Sequence, residues 1–193
     1  MEGSGMTPDR EQQRRREGVI FLILFALTIP AANWLIGHVG TTCIANGPCV
    51  VPVAPGLMAP SGVMMVGVAL VLRDLVQRRL GLRVSAGTVV AGAAMSALLA
   101  PPALVLASAN AFFLSEVADL TVYTPLARRL VLAVVASSLV GLVVDSIVFL
   151  WLAFGSLDVL LGSIVGKAEM VIISIPFVIW LHRRDERLGL RPA

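Results

Sequence analysis

Glu116 and Asp119 stand three residues apart in an otherwise apolar stretch, with Phe112 four residues before the first and Tyr123 four residues after the second. At this spacing the four side chains share one face of a helix. Two carboxylates, a phenol and an aromatic ring on one stripe form the wall of a polar pocket. The plainer alternative is that both acids only pair with neighbouring helices. Asn110, nearer the start of the same stretch, adds an amide. Asp145 and Lys167 lie about seven and eight residues from the matching ends of two later apolar stretches. An ion pair between adjacent antiparallel helices is expected there, either as a brace or as part of a site. Glu169, two residues beyond Lys167, points roughly 200° further round the helix, toward another surface. The candidate substrate-binding set is therefore Glu116, Asp119, Asn110, Phe112, Tyr123, Asp145, Lys167 and Glu169, with no metal ligands and no catalytic group.

Charges inside apolar spans are costly, and each is a functional hypothesis by default. Arg73 and Asp74 sit a few residues from the end of their stretch, with Arg78 one turn on. They are expected to act as interfacial anchors. The deep set is then four acids, Glu116, Asp119, Asp145 and Glu169, against Lys167 as the one deep base. Such an imbalance calls for a cationic ligand, coupled cations or carboxyls that carry protons.

The elements that must hold these groups follow from composition. Of 193 residues, 58% are apolar and 14% charged, with a mean hydropathy of +0.91. Soluble domains carry about 25% charged residues, so a soluble globular reading is excluded. No formal charge occurs in the 55 residues between Glu17 and Arg73. A crossing helix needs roughly 20 apolar residues, and six candidates fit: about 18–36, 57–77, 84–100, 103–124, 130–152 and 159–181. Thirteen of the fifteen Lys and Arg residues flank these spans on one side, while 37–56, the Pro101-Pro102 turn and 153–158 hold none. By the positive-inside rule the fold is an all-α integral membrane protein of six transmembrane helices with both termini cytoplasmic. The organisation expected is a flexible N-terminus over 1–17, a membrane domain over 18–182 and a tail over 183–193. The first span outlasts a signal-peptide core and is read as uncleaved. Met1–Gly5 reads as a flexible leader.

The connection from His38 to about Gly56 is rich in Gly, Pro, Thr and Asn, with a turn signal at Asn46-Gly47-Pro48. Its apolar residues, Val50, Val51, Val53, Leu57 and Met58, predict a partial lid over the outer mouth. Cys43 and Cys49 either close a disulfide loop facing an oxidising exterior or remain two packed thiols. Only His38 is close enough to join them, which makes a zinc site poor. Pro30 and Pro176 are expected to kink their helices, and Trp34, Trp151 and Trp180 fall near span ends as an interfacial belt. The hydrolase, zinc-protease, Gly-x-Gly-Asp and phosphate-loop signatures are missing, so neither an enzyme nor a cofactor is expected. The pI of 9.5 reflects membrane orientation rather than a nucleic-acid partner.

Four segments carry a resemblance. Leu72-Arg73-Asp74-Leu75-Val76-Gln77-Arg78-Arg79-Leu80-Gly81, Ser115-Glu116-Val117-Ala118-Asp119-Leu120-Thr121-Val122-Tyr123, Val144-Asp145-Ser146-Ile147-Val148-Phe149 and Gly166-Lys167 occur in this order. They resemble the second-, fourth-, fifth- and sixth-span motifs of the vitamin-uptake-transporter family, also called queuosine-precursor transporters. The resemblance runs from about residue 18 to 185 and does not extend to the two cysteines. It implies uptake of a 7-deazaguanine base, such as the 7-cyano or 7-aminomethyl form, across the cytoplasmic (inner) membrane. A guanine-like edge offers two adjacent N–H donors to one carboxylate, Glu116 or Asp119, while Phe112, Phe113 or Tyr123 stacks on its face. The alternative it leaves open is a substrate-binding subunit of an energy-coupling-factor importer. The expected partners are a small purine-like molecule and the lipid bilayer, with a second copy of the chain and an energising membrane partner left open.

Overall fold

The computed structural model describes residues 8–43, 48–100 and 102–190. The leader at 1–5, the Asn46-Gly47 part of the turn and Pro101 lie outside the described residues. Six α-helices follow in order: α1 (Pro8–His38), α2 (Val63–Leu80), α3 (Leu82–Leu99), α4 (Val105–Leu126), α5 (Leu130–Phe154) and α6 (Leu160–Leu188). All but α2 are long and apolar enough to cross a membrane. At 1.5 Å per residue the 31 residues of α1 exceed a hydrocarbon core of about 30 Å. Its first turns therefore project beyond that thickness.

Residues 8–17, expected as flexible, are the start of α1. Arg15 reaches Glu11 at 2.8 Å, and Gln13 donates to Glu17, which also pairs with Arg79 and Arg184. The tail expected from 183 is likewise the continuation of α6, with Asp185 buried. Several of the charges that sequence places outside the bilayer are paired within these extensions, Glu11 with Arg15, Glu17 with Arg184, and Asp185 with Arg78 and Arg79.

α2 packs against each of the other five helices. Twelve of its 18 residues are buried, whereas α3 buries only Ser85, Val89, Gly92 and Ser96, one stripe of a helix. The helix richest in buried charge is thus the centre of the bundle, and α3 lies at its rim. Gly81 alone joins α2 to α3, at φ 89°, a left-handed conformation that side-chain-bearing residues avoid.

The expected second span begins too early. Residues 57–60 form a strand, part of a three-stranded antiparallel sheet of β1 (Thr42–Cys43), β2 (Cys49–Ala54) and β3 (Leu57–Pro60), in the order β1-β2-β3. Val50 faces Pro60 and Val51 faces Ala59, with the register broken between Pro52 and Ala54. Gly56, at φ 75°, turns the chain between β2 and β3. Pro52, Pro55 and Pro60 keep this stretch from joining α2. Cys43 and Cys49 face each other across β1 and β2 and are disulfide-bonded. The sheet packs on α1 and α6, and the Ser61 hydroxyl donates to the Leu35 carbonyl at 2.7 Å.

Trp34, Trp151 and Trp180 are all at least half exposed near helix ends, as an aromatic belt requires.

Candidate functional site

A cavity lies between the sheet and the middle of the bundle, with walls from all six helices. Thr28, Ala32 and Asn33 come from α1, Val66 and Ala69 from α2, Ser96 from α3, and Ser108, Phe112 and Glu116 from α4. Asp145 and Phe149 of α5 and Ser163 and Lys167 of α6 complete the wall, and Pro60 closes it beneath the sheet. Most of the lining is apolar or hydroxylic, and its charged members are Glu116, Asp145 and Lys167. Such a chamber, apolar with a few placed polar groups, suits a small planar ligand. Phe112 is set against Gly92, where a Cβ would come within 2.6 Å of its ring, and lies 6.0 Å from the Phe25 ring.

One turn beyond Ala69, the cavity floor meets a cluster centred on Arg73, whose side chain is fully buried. Its Nε donates to Glu116 Oε2 at 3.0 Å, one Nη donates to Gln77 at 3.0 Å, and the other contacts Asp119 and sits 2.8 Å from Asp74. Gln77 passes the network to Thr124 at 3.1 Å, and the Ser137 hydroxyl donates to Asp74 at 2.7 Å. The Tyr123 ring lies 5.8 Å from the guanidinium carbon. The sequence spacing explains the convergence: 73, 74 and 77 occupy one turn of α2, while 116, 119 and 123 run along one stripe of α4. At Gly141 of α5 an added Cβ would come within 3.2 Å of the Asp119 carboxylate, so the bare backbone makes room for it.

On the opposite wall Lys167 donates to Asp145 Oδ2 at 2.6 Å and to the Ser146 hydroxyl at 2.7 Å. This is the pair expected from matched depth. Arg73 and Asp74, by contrast, are not interfacial anchors. Both have 0% exposure, and Lys167 is therefore not the one deep base. The distance of Arg73 from the end of its apolar stretch could not reveal that acids 43 and 46 positions later would meet it. The available signal was the excess of deep acids.

The remaining candidates separate. Glu116, Phe112, Asp145 and Lys167 line the cavity. Asp119 and Tyr123 lie behind it, buried in and beside the Arg73 cluster. Asn110 is exposed and spends its amide on the Leu106 carbonyl, and Phe113 is 42% exposed. Glu169 is partly exposed and lies outside the cavity wall. Sequence reasoning missed Arg73, Asp74, Gln77 and Ser137 as parts of the site, and the hydroxyls of Thr28, Ser96, Ser108 and Ser163 in its wall.

A second charge cluster ties the helix ends away from the sheet. Asp185 accepts from Arg78 at 3.0 Å and from Arg79 at 2.9 and 2.7 Å, and Arg79 also reaches Glu17 at 2.9 Å. The start of α1 and the end of α6 thus meet at the C-terminal end of α2.

Five long apolar helices, packed round a central helix whose charges are internally paired, define an α-helical multi-pass membrane protein. Residues 96–181, from the end of α3 through most of α6, match the family model described as a putative vitamin uptake transporter. Over that segment the chain is similar to the vitamin-uptake-transporter family. No curated protein and no solved structure matches it.

Proposed function

We propose that the chain imports a queuosine precursor, a 7-deazaguanine base such as the 7-cyano or 7-aminomethyl form, across the cytoplasmic membrane. In this reading all six helices cross, both termini are cytoplasmic and the sheet faces outward. The supporting observation is the position of Glu116 between Arg73 and the cavity. Arg73 engages Oε2 and so holds the carboxylate in one orientation at the cavity wall. A carboxylate fixed in this way accepts from the two adjacent N–H groups of a guanine-like edge. Phe112, wedged against Gly92, offers a ring face. The hydroxyl-rich wall supplies donors and acceptors for the rest of the base, and Asp145 suits an aminomethyl cation. No step in this scheme needs a cofactor.

Equilibrium binding to the purified protein tests the reading, with a panel of deazaguanines, guanine, adenine and unrelated vitamins. Saturable binding of deazaguanines in preference to adenine is the expected result. Binding of a non-purine vitamin with no deazaguanine affinity would overturn it.

A further inference from the structure

Three carboxylates surround the one guanidinium of Arg73: Asp74, Glu116 and Asp119. The nearest further cation on the cavity wall, Lys167, is already matched by Asp145. With every acid ionised, the cluster would carry two uncompensated negative charges between buried helices. Burying even one unpaired charge is strongly unfavourable. A second, independent observation is the state of its polar atoms. Asp119 Oδ2 is buried without a hydrogen-bond partner, as is the hydroxyl of Tyr123, a side chain with 0% exposure whose ring lies over Arg73.

We propose that the Arg73 cluster is a proton-carrying site, loaded from the cavity through Glu116. Of its three acids only Glu116 also lines the cavity, while Asp74 and Asp119 lie behind it. A proton from cavity water adds to a Glu116 carboxylate oxygen and passes to Asp119. Glu116 returns to its ionised, ligand-accepting form, and release to water on the other side restores the empty site. No other bond is made or broken. A proton fits better than a metal cation. Asp119 is packed between Arg73 and Gly141, and a sodium-sized ion would need several further oxygens around it. The charged and titratable groups facing Glu116 and Asp119 are Arg73 and Asp74 from α2, Tyr123 from α4, Asp145 from α5 and Lys167 from α6. α1 and α3 contribute only uncharged side chains to the described cavity wall.

The site would supply the proton coupling for import, and to that extent it rests on the transport reading. Infrared spectroscopy of the purified, ligand-free protein separates the two. At neutral pH a carbonyl stretch of a protonated carboxylic acid is expected, and it should weaken in Asp119→Asn or, if the proton rests on its neighbour, in Asp74→Asn. In Glu116→Gln the band should persist but exchange with deuterated water more slowly. Absence of a protonated-carboxyl band in the unmodified protein would overturn the proposal without reference to any variant. So would a band that both Asn variants leave unchanged. In proteoliposomes given 7-cyano-7-deazaguanine, an acid exterior should raise the uptake rate severalfold. Uptake indifferent to the gradient would overturn the coupling and leave the transport reading standing. A protonated-carboxyl band in a protein that moves no deazaguanine would retain the proton site and remove the transport reading.

Discussion

Arg73 and Glu116 lie 43 positions apart in the chain and meet in a 3.0 Å bond between the central helix and α4, where the cavity ends and the charge cluster begins. Glu116 is therefore answerable to two neighbours. Its Oε2 belongs to Arg73, and its side chain borders the space a ligand would fill.

Replacing it tests that double role. Glu116→Gln keeps the shape but turns one acceptor into a donor facing the ligand's N–H groups. Loss of one charge-assisted hydrogen bond costs about 1.5–3 kcal/mol, or roughly ten- to hundredfold in affinity. Calorimetric titration with a deazaguanine should show that loss, and an unchanged affinity would remove Glu116 from ligand recognition.

Asp145 and Lys167 should behave as a unit. Stranding either partner in a protein interior costs about 3–5 kcal/mol, and less where membrane helices offer substitute partners. Asp145→Asn and Lys167→Met are each expected to lower thermal stability or uptake, and the double variant to recover part of the loss. Strict additivity would show that the two act separately.

Asp185 accepts three hydrogen bonds from Arg78 and Arg79 while almost wholly buried. Asp185→Ala leaves two buried guanidiniums without that acceptor and should destabilise the fold by about 3–5 kcal/mol. Arg187→Ala, on the exposed side of the same helix end, should stay within about 0.5 kcal/mol. Thermal unfolding in detergent compares them directly.

Gly162 lies so close to the Met58 backbone that a Cβ would collide with it. Gly162→Ala should therefore push β3 away from α6, at about 1–3 kcal/mol for overpacking. Faster amide exchange over residues 50–59 is the expected signature. Unchanged exchange there would mean that the sheet is held elsewhere.

Topology is open to labelling. Pro55→Cys, in the turn between β2 and β3, should react with an impermeant thiol reagent added to intact cells, and Glu186→Cys should react only after permeabilisation. The reverse pattern would invert the proposed orientation.

The helical plan was legible because apolar runs of bilayer length can hide almost nowhere else. The Asp145–Lys167 pair was legible because adjacent antiparallel helices convert position in the chain directly into depth. Arg73 was not. A charge near the end of an apolar run reads the same whether it snorkels to headgroups or turns inward, and its partners come from non-adjacent helices. The sheet was missed for a related reason. Leu57 and Met58 are as apolar as a span, and hydropathy does not register the prolines that hold them extended. The candidate set consequently mixed cavity wall (Glu116, Asp145) with the layer behind it (Asp119), included Glu169 from outside both, and omitted Asp74. Tyr123 and Asp119 share a stripe with Glu116, yet periodicity fixes a face of a helix and not which of its turns borders an open space.

Met58 and Val53 rest directly on Gly162 and Gly166, in the first two turns of the helix that carries Lys167. The sheet is thus fastened to a wall of the chamber. If the sheet faces outward as proposed, an antibody fragment that tilted it, or a reductant that opened its disulfide, would strain the Lys167 side of the cavity from outside the cell. Inhibition from the exterior would then require no contact with the substrate's own binding surface, and an inhibitor of that kind would owe nothing to resemblance to the substrate.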